Sequence, residues 1–478
     1  MPVFFDSHCH LMNLSHPNLT AMIKRVFREK VPVWIIRLYD KVTASHSIVF
    51  KLFAWLVLSA LALLFALKVL MPLIMPLTAA GLIFILLLAI PATKRSLTGK
   101  IREKAAEVMN LLAVMETDIG DCLIQMEEEL RGKYDAKGGL TLLGGDGVEK
   151  VYDKIVMTPL IMDFGLKNYQ NSKLPYKVRW KPIVAQIEDL CLGIRDYYRH
   201  RDAYIAWPGY PVPPLFEIHP FMGLNTRNYD LKPPAFGMAS ILEELLHKNF
   251  DGFQEDTSPE MRYGKLRARD WTQFNGNIDS IGSYDFVGIK VYPPLGFNPW
   301  PVESWEAERS EEMKKVCFLY EFCISHNIPL TAHCSPGGFL VDKRYRDFAS
   351  PDKWAEVLKA YPDLRLDLAH FGGVETELWR NKVAELILKY ENVYTDISYQ
   401  GIDPKIYGKM KFFLDSFGDL DRNRLMERII FGTDFMINLQ DITSYSRYLD
   451  YFAQTGSFTI AEKDGMCSRN VMNYLFIA

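Results

Sequence analysis

The chain opens on VFFDSHCHL, Val3 to Leu11, and this stretch already holds the makings of a metal site. Val3, Phe4 and Phe5 read as a buried strand, and Asp6 to His10 then put polar groups at its carboxyl end. Side chains alternate along a strand, so His8 and His10 face the same way, about 6–7 Å apart. Two imidazoles at that separation can grip one ion, whose bonds to nitrogen are about 2 Å long. On its own a His-x-His is a weak signal, because two histidines on a strand are commonly incidental. Further along, Lys290 lies in FVGIKVY, His333 ends PLTAH, His370 ends LRLDLAH and Asp434 ends IIFGTD. Each has a bland reading: a strand-end histidine is usually a hydrogen-bonded core residue, and a strand-end aspartate often caps the next helix. Their joint occurrence at corresponding strand ends points to one site. Tyr292 and His219 could line it, although each reads more simply as core or support.

The elements that would carry these residues alternate from Lys150 onward. Apolar strands are expected at 155–162, 214–219, 286–292, 329–333, 364–370, 393–398 and 429–434. Helices are expected between them, at 181–198, 236–249, 311–326, 352–360, 378–390 and 410–417. With the opening strand this makes eight strands separated by helices. That pattern predicts an α/β fold with a parallel sheet closed into a (β/α)8 TIM barrel, its active site on the rim of strand carboxyl ends. Gly138 to Gly147, GGLTLLGGDG, reads as a linker or turn; it lacks the GK[ST] ending of a phosphate loop.

Between the first strand and the rest lies the most apolar part of the chain. LFAWLVLSALALLFAL follows Lys51, and the run from Val69 to Ala92 carries no charge. About 20 apolar residues span a bilayer. Lys51 and Lys68 can reach opposite interfaces, and Pro72 and Pro76 favour a tight hairpin. Basic residues at Lys41, Lys51, Lys94, Arg95, Lys100, Arg102 and Lys104 place both ends in the cytoplasm. The expectation is a two-helix transmembrane hairpin at about 48–92, inserted between strands 1 and 2. It would hold the protein on the lipid bilayer of the inner or plasma membrane, with the catalytic domain cytoplasmic. A buried helical hairpin or an oligomer contact is the alternative. The expected division is 1–17, first strand and loop; 18–150, helical insertion; and 151–478, the remaining barrel and C-terminal helices.

A net charge of −3 offers no basic face, and nucleic acid is excluded as a partner. The seven cysteines are scattered without CxxC pairs, which suits free thiols in a reducing compartment. No signal peptide is read at the start, because the opening residues are already the catalytic-looking strand.

The segments D-S-H-C-H (Asp6 to His10), T-A-H (Thr331 to His333), L-A-H-F-G-G (Leu368 to Gly373) and F-G-T-D (Phe431 to Asp434) together resemble the metal-dependent amidohydrolase superfamily. The likeness is greatest to the amidohydrolase-related branch that includes the aminocarboxymuconate-semialdehyde decarboxylases. The closing Ser468 to Phe476 resembles that branch's final helix. The resemblance implies that His8, His10, His333 and Asp434 bind one divalent metal, zinc or, less often, manganese. It also implies that Asp434 accepts a proton from water and that His370 polarises the substrate or shuttles protons. Lys290 occupies the position that some members carboxylate to bridge a second metal. Its GIKVYPPLGF context favours a single metal, with Lys290 meeting an anionic substrate or supporting the site. Three imidazoles and one carboxylate leave room for water, as an open catalytic site requires.

The resulting expectation is a membrane-tethered hydrolase cleaving a C–N or C–O bond, in an amide or lactone, of a small-molecule substrate. Nonoxidative decarboxylation of an unsaturated or aromatic carboxylic acid is the rival chemistry. A membrane scaffold with a vestigial site is the reading from another class. The related branch often forms dimers, which leaves a homodimer open.

Overall fold

Continuous apolar runs, buried on both faces, build the first strand, β1 (Val3–Cys9), and its neighbour β4 (Lys154–Pro159), which pair in parallel from Val3 opposite Lys154. The computed structural model describes residues 2–13, 111, 113–164, 182–205, 212–231, 240–302, 307–340, 342–373 and 376–476. The further parallel strands are β5 (Phe216–Ile218), β6 (Phe221–Gly223), β7 (Gly288–Val291) and β8 (Leu330–His333). They are followed by β9 (Leu366–Ala369), β10 (Val393–Asp396) and β11 (Ile429–Ile430).

Two sheets result, in the orders β1-β4-β5 and β11-β10-β9-β8-β7-β6. β5 and β6 are two halves of one strand position, separated only by His219 and Pro220. Pro220 has no N–H to donate, so the ladder breaks there. A bridge from Leu160 to Phe221 joins the two sheets on that side. On the other side Ser7 N donates to Phe431 O at 3.0 Å and Thr433 N donates to His8 O at 3.0 Å. The first strand therefore lies against the last, and eight strand positions close in a ring.

Closure creates an inside and an outside. Phe5, Val156, Phe221, Tyr394 and Ile430 cluster with Val471, Tyr474, Leu475 and Phe476 of the C-terminal helix Asn470–Phe476. The alternate residues Phe4, Ile155, Ile289, Leu330 and Leu366 join Ile187, Trp354 and Val383 of the surrounding helices. Those helices start on local signals. Ser240 and Glu243 form a capping box ahead of Ile241–Phe250, and Ser350 caps Pro351–Ala360 with proline in its first turn.

Gly138 to Gly147 is not simply a linker: β2 (Leu140–Leu143) pairs in antiparallel fashion with β3 (Glu149–Tyr152). Leu140, Leu142 and Tyr152 are buried, which supplies the apolar face that a short hairpin needs.

The transmembrane expectation is corrected. Among the described residues no helix is long and apolar enough to cross a membrane. The 19-residue helix Ala307–Ser325, for example, carries Glu308, Arg309, Glu311, Glu312, Lys314 and Lys315. The multi-pass hairpin and the membrane location drawn from it are set aside. The apolar run at 48–92 lies outside the described residues.

Candidate metal centre

β1 delivers its histidines through an irregularity. Asp6 pairs with Met157 and Cys9 with Pro159, so β1 uses one residue more than β4 over this interval. Such a bulge re-aims the side chains beyond it. The end of β11 then closes on the same place. A Cβ added to Gly432 would sit 2.6 Å from His8 Cβ, so only glycine lets the two strands approach this closely. Thr433 donates to the Asp6 carboxylate from its N–H at 2.9 Å and from its hydroxyl at 2.7 Å. Asp434, the next residue, has a left-handed φ of 59°. A non-glycine residue in that region is held there by its surroundings.

His8 and His10 are both tied back through Nδ1. His8 Nδ1 lies 2.6 Å from Asp396 Oδ2, and His10 Nδ1 lies 2.8 Å from the Leu160 carbonyl. A carbonyl only accepts, so His10 carries its hydrogen on Nδ1 and presents a lone pair at Nε2. The carboxylate of Asp396 imposes the same tautomer on His8. Both Nε2 atoms then face Asp434 Oδ1, at 3.2 Å from His10 and 3.6 Å from His8. His8 Nε2 is buried without a hydrogen-bond partner. The ligand atoms of His8, His10 and Asp434 all lie within 4.8 Å of one another. Three acceptors converging in a dry site repel unless a cation joins them, and this donor set suits a divalent ion.

His333 stands one ring further out. His370 Nε2 lies 3.0 Å from His333 Nδ1, and the His370 ring is 4.8 Å from that of His8. His370 Nδ1 faces Ser398 Oγ at 2.8 Å, and the Ser398 hydroxyl donates in turn to Asp396. His333 Nε2 faces the Gly337 carbonyl at 3.2 Å and Ser335 Oγ at 3.1 Å. The structure thus groups His8, His10 and Asp434 directly, groups His8, His370 and Asp396 beside them, and joins His333 to both through His370. Lys290 is 1% exposed, and its Nζ has no hydrogen-bond partner. Tyr292 packs on the His333 ring at 4.6 Å. His219 is not brought to this centre: its Nε2 is held by Glu217 at 2.9 Å.

Burial sets the charges. It pushes His8 down to about 3 against the pull of Asp396, and it lowers His370 and His333 as well. All three rings are therefore neutral near pH 7, the form that ligates metals. Burial pushes Asp434 up, but the facing imidazoles of His10, His8 and His370 hold it at about 2. Asp396 is likewise kept low against burial, by the charge and hydrogen bond of His8. Burial and the neighbouring Asp396 instead raise Asp367 well above the carboxylate range. Burial lowers Lys290 to about 8, against the attraction of Asp396, Asp367 and Asp434.

Asp396, Asp367 and Ser398 are the site residues that sequence reasoning passed over. Asp396 lies fourth in VYTDIS, at the end of β10, much as Asp434 ends IIFGTD, so its strand-end position was the available signal. Asp367 sits mid-strand between leucines, where a carboxylate is out of place unless a buried partner charge is near.

Residues 278–470 match the family model described as Amidohydrolase. That stretch, less than half of the chain, is similar to the amidohydrolase family. It spans β7 to β11 with Lys290, His333, His370, Asp396 and Asp434. His8 and His10 lie outside the matched amidohydrolase residues and reach the centre by barrel closure. No curated protein matches the chain. Among solved structures, the chain is similar to Amidohydrolase 2 from Bifidobacterium longum subsp. infantis. That likeness has 11% identity and a TM-score of 0.25, covering 41% of this chain and 63% of that one. It is also similar to a probable 2-pyrone-4,6-dicarboxylic acid hydrolase from Acinetobacter baumannii, at 11% identity and TM-score 0.36, covering 74% and 88%. A third similar structure is dihydroorotase from Campylobacter jejuni, at 16% identity and TM-score 0.25, covering 63% and 73%. None of these superpositions is close enough to define a common fold.

Proposed function

We propose that this enzyme hydrolyses a C–N or C–O bond, in an amide, lactone or related group, of a small anionic molecule. The observation that carries this reading is the pair of Nε2 lone pairs on His8 and His10 turned toward one Asp434 oxygen, with both Nδ1 atoms anchored behind. His8, His10 and Asp434 would hold the ion, and His333 is the candidate for a fourth ligand. A divalent ion there, zinc or manganese, would bring the pKa of water toward neutrality and polarise a carbonyl. Asp434, ionised at neutral pH, takes a proton from the attacking water. His370, oriented by Ser398, relays the proton taken up by Asp434 to the leaving group. Lys290, a buried cation without a hydrogen-bond partner, supports a preference for substrates bearing a carboxylate.

The same lysine favours decarboxylation as the second reading, since a carboxylate held near it could also be the group that leaves. Metal analysis and a product screen separate the alternatives. Purified chain is expected to carry near-stoichiometric zinc or manganese at the centre, with that equivalent lost in His8→Ala and Asp434→Asn. A panel of amides and lactones is then run beside unsaturated and aromatic carboxylic acids. Solvent oxygen in the product supports hydrolysis, whereas release of carbon dioxide shifts the assignment to decarboxylation. A wild-type centre without metal would overturn both.

A further inference from the structure

A second set of ligand-type side chains lies outside the centre. His247 and Asp251 are one turn apart at the carboxyl end of the helix Ile241–Phe250, and His326 follows the end of the helix Ala307–Ser325. The spacing i, i+4 puts the first two on one helix face. His247 Nδ1 lies 2.6 Å from Asp251 Oδ1, and His326 Nε2 lies 3.5 Å from the same oxygen. The three ligand atoms fall within 4.8 Å of one another.

The buried member has the orientation of a ligand. His326 is 4% exposed, and its ring stacks on Phe322 at 3.8 Å between centroids. Its Nδ1 lies 3.0 Å from the Phe322 carbonyl, an obligate acceptor, so the hydrogen is on Nδ1 and the lone pair on Nε2. That Nε2 is buried, has no hydrogen-bond partner and points at the Asp251 carboxylate. A lone pair facing a carboxylate oxygen leaves a gap that a cation fills. His10 is held in the same way, by a backbone carbonyl behind Nδ1.

We propose that His247, Asp251 and His326 form a second metal site, selective for zinc-class divalent ions. It ties together the carboxyl ends of the helices Ile241–Phe250 and Ala307–Ser325. Two imidazoles and one carboxylate suit zinc, cobalt or nickel better than calcium or magnesium, which prefer all-oxygen shells. His247 and Asp251 have side chains 50% and 56% exposed, which leaves a position open to water. Helices that return between parallel strands end at the amino-terminal side of the barrel, opposite the rim that holds His8 and Asp434. An ion here would therefore brace the fold rather than join the chemistry, and the site stands whether or not the catalytic reading does.

The test uses the full chain and Zn2+ alone, with Co2+ as a spectroscopic substitute. The exposed pair is changed together, as His247→Ala with Asp251→Asn, because His326→Ala would remove a buried, stacked ring. Wild type is expected to bind one more zinc than the double variant, and His8→Ala is expected to keep that extra equivalent. The Co2+ absorption band from this site should weaken in the double variant, with affinity falling about tenfold or more. Zinc should raise the melting temperature of His8→Ala but not that of His8→Ala carrying the two further changes. Equal zinc stoichiometry in wild type and the double variant would overturn the proposal. So would a zinc-dependent melting shift that survives the double change.

Discussion

At the scale of single residues, the proposed centre depends on groups that would not themselves touch an ion. Asp396 holds His8 Nδ1 at 2.6 Å and also accepts from Ser398, which steadies His370. Asp396→Asn is expected to leave the ligands in place but weaken metal binding about 10–100-fold, measured by dialysis against graded zinc buffers. An unchanged affinity would mean that His8 is oriented by packing alone. The visible half of this arrangement was legible because histidine at a strand end is conspicuous in DSHCH, TAH and LAH. The hidden half was not, because Asp396 acts on a residue 388 positions away and looks locally like any strand-end carboxylate. Nor does spacing reveal that His333 turns toward His370, since that depends on the Gly337 carbonyl and Ser335 behind it.

At the scale of elements, strand positions read well from apolar runs, and their interruptions read poorly. The run Pro214 to His219 marked one strand; the structure divides this position at Pro220 and continues it as Phe221–Gly223. Below that break, β5 turns a charged side chain toward its neighbours. Glu217 meets Lys154 at 3.0 Å, Arg267 at 3.2 Å and His219 at 2.9 Å. Burial pushes Glu217 up, but His219, Tyr263 and Lys154 hold it at about 2. Because this folded value lies below that of an unfolded glutamate, the unfolded chain binds the proton more readily between about pH 4.5 and 2. Stability from Glu217 is therefore full above that window and lost as the pH falls through it. Glu217→Gln is expected to cost on the order of 2 kcal/mol at pH 7 and to flatten the acid limb of the stability profile, read by urea denaturation. An identical acid limb in the variant would assign that limb to other carboxylates. The GGLTLLGGDG stretch resisted reading for a related reason: its glycines suggest a loop, and its partner strand Glu149–Tyr152 is too polar to show as a strand alone.

For the whole molecule, the C-terminal helix is a floor rather than an appendage. Tyr474 is fully buried, its hydroxyl 2.8 Å from Thr331 Oγ1, and its carbonyl accepts from Arg365. Tyr474→Ala is expected to destabilise the fold by about 3–5 kcal/mol, measured as a fall in melting temperature, while leaving central metal stoichiometry intact in the folded fraction. Loss of the central ion without loss of stability would contradict that role. The closing of the ring also orders events during synthesis. His8 and His10 leave the ribosome well before Asp396 and Asp434, the carboxylates that orient and face them. A nascent chain thus displays two histidines without the facing carboxylate, so capture of the proposed central ion would wait on translation of Asp434. A fragment cut short before Asp434 should accordingly be an empty polypeptide, not a weaker catalyst.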